Sequence, residues 1–338
     1  MEILVTGGAG YVGSVVIPHL IKKGHHIKCL DRFFFGSEYL LQKKFEGHVQ
    51  LLKDDIRWFD PAILKDVDIV MDLAALSNDP VGDLDPKKTY DINYKGRYRV
   101  AIESKKVGVK HYILASSASV YGQQKDIVNE DSTVNPITDY SKANRKAELS
   151  VLPLNGNGFI VTVLRFSSIY GVSPRMRFDL AVNSMVLELY NTGKISVRGR
   201  SNKRPFLHIK DAAKAYSIVI NAPKEKVSGQ IFNVGSDEQN YEIGKLAKEV
   251  GDSIGKKYSI EAKDTHDHRS YVASFTKIRE ELGFTTKFSV KEGAMEVYKA
   301  LEKGELVDSK KTITVEWYKH LLASEKLVKE LSLNNTIL

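Results

Sequence analysis

Apolar positions along this chain fall into short continuous runs, separated by longer stretches in which they recur at helical spacing. Ile3, Leu4 and Val5 form the first such run, as a strand buried on both faces requires, and a helix-compatible stretch over 12–23 comes next. A second strand is predicted at 26–30, ending in Asp31. Further strands are predicted at 49–53, 67–73, 111–116 and 159–166, and helices at 89–106 and 140–151. Strand and helix alternate through the first half, which is the pattern of an α/β fold with a Rossmann-type doubly wound parallel sheet. Beyond residue 170 the pattern loosens into short segments broken by Pro174, Pro205 and Pro223. The reading is one domain over 1–170, its sheet completed by segments near 203–236, and a smaller, interleaved C-terminal lobe over 171–338. The tail over 322–338 reads as a helix with a frayed end.

The segment between the first strand and the first helix carries the chemistry. Thr6-Gly7-Gly8-Ala9-Gly10-Tyr11-Val12-Gly13 allows a tight turn at Gly7, backbone approach to a pyrophosphate at Gly10 and close helix packing at Gly13. Asp31 stands 18 residues after Gly13, near the spacing at which a carboxylate accepts bonds from the adenosine ribose and repels a 2′-phosphate. The cofactor expected is therefore NAD rather than NADP. Net charge is +8, but the lysines are scattered among glutamates with no aromatic-rich basic strip, so nucleic acid is not expected as a partner. No apolar run reaches the ~18 residues that span a bilayer, and a strand starting at residue 2 leaves no room for a signal peptide. No membrane association is expected, and the expected location is the cytoplasm. The single cysteine, Cys29, sits within a strand and reads as a small buried hydrophobe. His266-Asp267-His268 has no accompanying ligand cluster, so it reads as loop rather than metal site, and no metal is expected.

The strand at 111–116 runs into Ser116-Ser117-Ala118-Ser119-Val120-Tyr121-Gly122, and Tyr140 comes 23 residues after Ser117 at the head of a helix. A strand-end hydroxyl and a phenol can converge on one substrate oxygen, the phenolate taking its proton while hydride leaves the same carbon. Turn serines and a packed ring remain an equal reading of these residues alone. The ordered motifs together are more specific. From the glycine turn to Arg269-Ser270-Tyr271, the chain resembles the extended short-chain dehydrogenases/reductases of the nucleotide-sugar epimerase/dehydratase family, in its UDP-glucose 4-epimerase-like branch.

That resemblance implies functions for individual residues. Gly7, Gly10, Tyr11, Val12, Gly13 and Asp31 would hold NAD, Asp55 and Ile56 would lie at the adenine, and Leu73, Ala74, Ala75 and Asn93 would stand behind the ribose and phosphates, with Ser116 and Tyr140 completing the cofactor set. Ser117 and Tyr140 fall at the catalytic serine and tyrosine. The substrate set would be Ser117, Ser168, Arg175, Arg177, Arg204 and Arg269, the last two gripping the diphosphate of a nucleotide-diphosphate sugar. Arginine suits that task because its planar fork donates two parallel bonds and keeps its charge. A homodimer is implied too, through the helices at 89–106 and 140–151, where Tyr94, Tyr98 and Ala101 recur at helical spacing.

Three departures bear on the reaction. The family's lysine four residues after the tyrosine is replaced by Asn144, the third of the expected catalytic residues. On a helix, Lys142 and Lys146 lie about 200° and about 240° round from Tyr140, so neither substitutes simply. The expectation is a phenol without a fixed cationic neighbour, its pKa near the ordinary ~10; a register pairing Thr138 with Lys142 is the alternative. Ala118 and Ser119 stand where 4,6-dehydratases carry Asp and Glu, which disfavours dehydration and a decarboxylase using the glutamate place. Ser168 replaces a frequent Asn. The function expected is oxidation and reduction at a sugar carbon, C4, in an epimerase. A 4-dehydrogenase or ketosugar reductase, or a catalytically weak binding protein, stays open as an alternative.

Overall fold

Seven apolar segments pair into one wholly parallel sheet in the computed structural model, which describes residues 1–263, 269–333 and 336. The strands are β1 (Glu2–Thr6), β2 (His26–Asp31), β3 (Val49–Lys53), β4 (Ile69–Asp72), β5 (His111–Ser117), β6 (Ile160–Phe166) and β7 (Gln230–Val234). Their spatial order is β7-β6-β5-β4-β1-β2-β3. The chain winds outward from β1 to β3, crosses back, and winds outward again from β4, so the order reverses between β1 and β4. Thr6 lies opposite both Leu30 and Asp72, which brings the carboxyl ends of β1, β2 and β4 level at that reversal. Ligands of open α/β sheets bind at this point.

Helices cover both faces because β1, β4 and β5 have no polar face to offer water. On one side, Val16, Ile17 and Leu20 of α1 (Gly13–Ile21) pack with Ala212, Tyr216 and Val219 of the Ile209–Asn221 helix. On the other, Val100 and Ala101 of α2 (Arg97–Val107) pack with Ala147 and Val151 of α3 (Asp139–Val151). A separate apolar cluster in the C-terminal half joins Val182 and Val186 to Leu246, Val250, Ala294 and Val297.

The predicted helix over 89–106 is not one element. A short helix, Pro86–Tyr90, leads into a π-helical turn, Asp91–Gly96, and only then into α2. The extra residue of a π turn rotates the helix that continues from it, and such turns concentrate at functional sites. The side chain of Asn93, within it, clamps the loop after β4 by accepting from the Leu76 N–H (2.8 Å) and donating to the Leu76 carbonyl (2.9 Å). The last helix, α4, starts earlier than predicted, spanning Thr314–Leu331. It braces the β2–β3 loop: Trp317 Nε1 donates to the Phe34 carbonyl (2.7 Å), and the Tyr318 ring meets Phe34 and Phe35 edge-on. Among the described residues no helix is long and apolar enough to cross a membrane.

Candidate active site

Gly7 leaves β1 in the left-handed region (φ 65°), and a Cβ there would lie 2.7 Å from the Cα of Ala74. At Gly13 a Cβ would fall 2.5 Å from the Gly8 carbonyl oxygen. Only glycine permits either approach. Among the described residues no protein acceptor meets the N–H groups of Tyr11, Val12 and Gly13, which open α1 at the positive end of its dipole. Asp31 closes the neighbouring strand. One of its carboxylate oxygens accepts from the Ala9 N–H (3.0 Å) and the other from the Phe33 N–H (2.8 Å). Burial raises its pKa, against the pull of these backbone bonds and of Arg175. Orphan amides for a pyrophosphate beside a carboxylate for a ribose are what a bound NAD requires.

Around this cradle the other predicted cofactor residues take different parts. Asp55 is saturated, accepting from Arg57 N (3.0 Å), Arg57 Nε (2.9 Å), a second Arg57 nitrogen (2.8 Å) and Arg32 (2.8 Å). Burial would raise its pKa, but these arginines outweigh burial and lower it. Ile56 packs beneath Gly96, where a Cβ would approach its Cδ1 to 2.9 Å. Leu73, Ala74 and Ala75 form the partly buried start of the loop after β4, with the Ala74 N–H donating to Thr6 Oγ1 (3.1 Å). Tyr11 reaches into the C-terminal half, its hydroxyl donating to the Gly171 carbonyl (2.7 Å).

Ser117 ends β5, and Tyr140 lies in the first turn of α3. The helix begins there because Thr138 caps it and Ser141 returns the bond. Tyr140 is partly exposed, and the side chains of Ser117 and Asn144 both act on its phenol as hydrogen-bonding groups that favour the phenolate. Burial nonetheless sets the net direction and raises its pKa. Ser116 points the other way and donates to Glu148 (2.6 Å), a fully buried carboxylate also held by Arg165 at 2.8 and 3.0 Å. That network ties the end of β5 to α3. Lys142 and Lys146 are exposed, and Thr138 instead donates to Asp79, so the alternative register finds no support in the geometry.

The expectation of a phenol without a cationic neighbour is corrected here. Arg97, opening α2 straight after the π turn, is buried, with its Nε donating to the Ala74 carbonyl (2.9 Å) and a second nitrogen donating to Asn144 Oδ1 (2.8 Å). Its charge is the largest influence opposing burial at Tyr140. Sequence reasoning missed it because a helix of unbroken period offers no signal that a π turn aims this one side chain inward.

Of the arginines expected at substrate, Arg204 and Arg269 come together. Arg204 donates to the main-chain carbonyls of Lys203 (2.9 Å) and Arg269, and stacks over Tyr271, while Arg269 pairs with Asp79 across from them. Arg175 and Arg177 do not join that pair: Arg175 acts on Asp31, and Arg177 faces Tyr140 and bonds Ser77 in the loop after β4. Arg175 sits 3.6 Å over the Phe35 ring and donates to Thr314 (3.0 Å), and Arg177 forks onto Asp179 at 2.8 and 2.9 Å. Ser168, partly buried, pairs in register with Phe206. His266-Asp267-His268 lies outside the described residues, and among those described no metal-binding cluster occurs.

Residues 3–235 match the sequence pattern of the NAD dependent epimerase/dehydratase family. The chain is similar to the UDP-glucose 4-epimerase of Lactobacillus helveticus, 28% identical over 308 residues that cover 85% of this chain and 92% of that one. It is also similar to UDP-glucuronic acid decarboxylase 1 of Arabidopsis thaliana, 28% identical over 306 residues, 87% of this chain and 68% of that one. The fold matches that of the UDP-glucuronic acid 4-epimerase of Bacillus cereus, solved with UDP-glucuronic acid and NAD, with a TM-score of 0.81 at 22% identity over 90% of this chain and 99% of the other.

Proposed function

The chain belongs to the NAD-dependent epimerase/dehydratase family, and we propose that it oxidises and re-reduces C4 of a nucleotide-diphosphate sugar as an epimerase, with Tyr140 as base and Ser117 as its partner on the sugar oxygen. One arrangement carries this reading: Ser117 ends the strand tied by the Ser116–Glu148 bond to the helix that bears Tyr140, its side chain favours the Tyr140 phenolate, and the turn beside it, Ala118–Tyr121, carries no carboxyl group. Elimination of water would need an acid or base of that kind; transfer of one proton needs only the phenol. Bound NAD supplies the hydride acceptor. The Tyr140 phenolate takes the hydroxyl proton as the C4–H bond breaks, Ser117 donates to the same oxygen, and Tyr140 returns the proton when the carbon is reduced on its other face. Arg204 and Arg269 would hold the diphosphate, with Asp79 competing for Arg269. Asp31 and the amides of Tyr11, Val12 and Gly13 would hold the cofactor. The reading includes a homodimer in the cytoplasm. In the monomer Ala101 is buried against the sheet, so Tyr94 and Tyr98, partly exposed, are left to line the interface.

The test is to release and identify the bound dinucleotide, then incubate the protein with UDP-, dTDP- and GDP-sugars and follow products by NMR. C4 epimers formed without net NADH are expected. A 4-keto-6-deoxy sugar, carbon dioxide from a uronate, or a ketosugar with stoichiometric NADH would refute the epimerase. Tyr140→Phe should bind NAD and form no epimer.

A further inference from the structure

We infer that Arg97 supplies, from a different helix, the fixed positive charge that Asn144 cannot, and that Asn144 serves to hold that guanidinium toward Tyr140. The inference rests on Tyr140 being the proton-transfer residue, as proposed above, but not on which sugar is turned over.

The geometry is a short chain of contacts. Arg97 donates to Asn144 Oδ1 at 2.8 Å, and Asn144 donates in turn to the main-chain carbonyl of Tyr140 at 3.0 Å. The other end of the guanidinium is pinned by the Ala74 carbonyl at 2.9 Å, so its orientation is set from both sides. Arg97 is 2% exposed and Asn144 1%, which means that little water screens the charge. No carboxylate lies within ion-pair distance of Arg97 among the described residues.

A buried cation without a paired anion is costly to keep. A side chain serving only to fill space could be apolar, so this charge calls for a use. The groups facing the phenol identify one. Besides Arg97 they are Asp79 and Arg177. Arg177 is neutralised by the bidentate carboxylate of Asp179, and Asp79 is engaged by Arg269. Facing Arg97 itself are Asp72, Tyr112 and Tyr216. Asp72 gives its oxygens to Thr6 (2.5 Å) and Tyr112 (2.5 Å) rather than to Arg97, and burial raises its pKa against the pull of Arg97 and of those two hydroxyls. Among the described residues Arg97 is thus the cation of this cluster that no carboxylate bonds. An arginine in this position keeps its charge at any pH the protein meets, so it favours the phenolate without itself acting as an acid. It is a positioning and electrostatic residue, not one that moves the proton.

The test reads the phenol directly. In protein carrying ¹³C at tyrosine Cζ, with NAD bound, the Tyr140 resonance is assigned by its loss in Tyr140→Phe and titrated with pH. Arg97→Gln should raise the titration midpoint by one to two units, a tenfold to hundredfold loss of phenolate at a fixed pH, and the pH profile of substrate oxidation should move by the same amount. Asn144→Lys placed in the Arg97→Gln background should bring the midpoint back down, and should lower it less in the unaltered background, where a cation is already present. A midpoint in Arg97→Gln within 0.3 unit of the parent, or equal effects of Asn144→Lys in both backgrounds, overturns the inference. Should Arg97→Gln not fold, Asn144→Lys decides alone, because a drop of two units would mean that the phenol had lacked a cation. The titration needs no substrate, so failure of the epimerase reading shows in the product analysis and not here.

Discussion

Replacing Glu148 by Gln tests whether the buried network beneath the site holds β5 to α3. The carboxylate accepts four bonds: Ser116 Oγ (2.6 Å) and Arg165 Nε (3.0 Å) on one oxygen, a second Arg165 nitrogen (2.8 Å) and Arg145 (2.9 Å) on the other. A glutamine in the same place keeps one accepting side and turns an NH₂ toward the other two donors, so two charge-assisted bonds are lost, each worth about 1.5–3 kcal/mol. Arg145 is about a quarter exposed and contributes the smaller part, whereas Arg165 is 2% exposed and is left with an uncompensated charge. The expected destabilisation is about 4 kcal/mol, in the range for breaking a buried pair. With ~2.1 cal/mol/K of unfolding entropy per residue, the 338 residues correspond to about 0.7 kcal/mol/K, and Tm should fall by about 6 °C. Differential scanning calorimetry at neutral pH gives the number. The double variant Glu148→Leu/Arg165→Leu, which removes both charges, should lose less than the two single variants summed. A Tm drop under 2 °C for Glu148→Gln, or strict additivity in the double variant, would refute the reasoning.

Asp31→Ser should narrow the preference for NAD over NADP by about 30-fold or more, since a carboxylate a few ångströms from a 2′-phosphate costs about 2–4 kcal/mol; an unchanged affinity ratio in fluorescence titrations counts against Asp31 as the discriminator. Gly7→Ala puts a Cβ 2.7 Å from Ala74 at a left-handed φ, so NAD retention after gel filtration should be lost while Gly24→Ala, where nothing is crowded, retains it. Arg269→Met should weaken UDP binding about tenfold to a hundredfold by calorimetry, from loss of a charged donor worth about 1.5–3 kcal/mol. Equal binding by both proteins would remove Arg269 from the diphosphate grip.

Local features were legible in the chain because the physics behind them is local. Continuous apolar runs predicted the strands β1 and β5 to within a residue or so, since a strand buried on both faces has no polar position to spare, and the shorter apolar runs of β2 and of the edge strand β3 were placed as closely. The glycine turn was legible for the same kind of reason, a Cβ at Gly7 or Gly13 having nowhere to go. Helix geometry alone also turned Lys142 and Lys146 away from the direction of Tyr140, and both are exposed. Features that depend on contacts between distant segments were not legible. The partner of Asn144 is Arg97, 47 residues away, and it arrives only because a π turn, anchored by Asn93 to the loop after β4, alters the rotation of α2. Arg175 and Arg177 stand beside a proline in sequence like a ligand grip, yet packing gives one to Phe35 and Thr314 and the other to Asp179. Sequence alone determined where the backbone could bend, where it had to be buried and which residue types were at hand. The tertiary structure decided which charges meet, because an electrostatic partner is set by through-space distance and burial, and neither is a property of spacing along the chain.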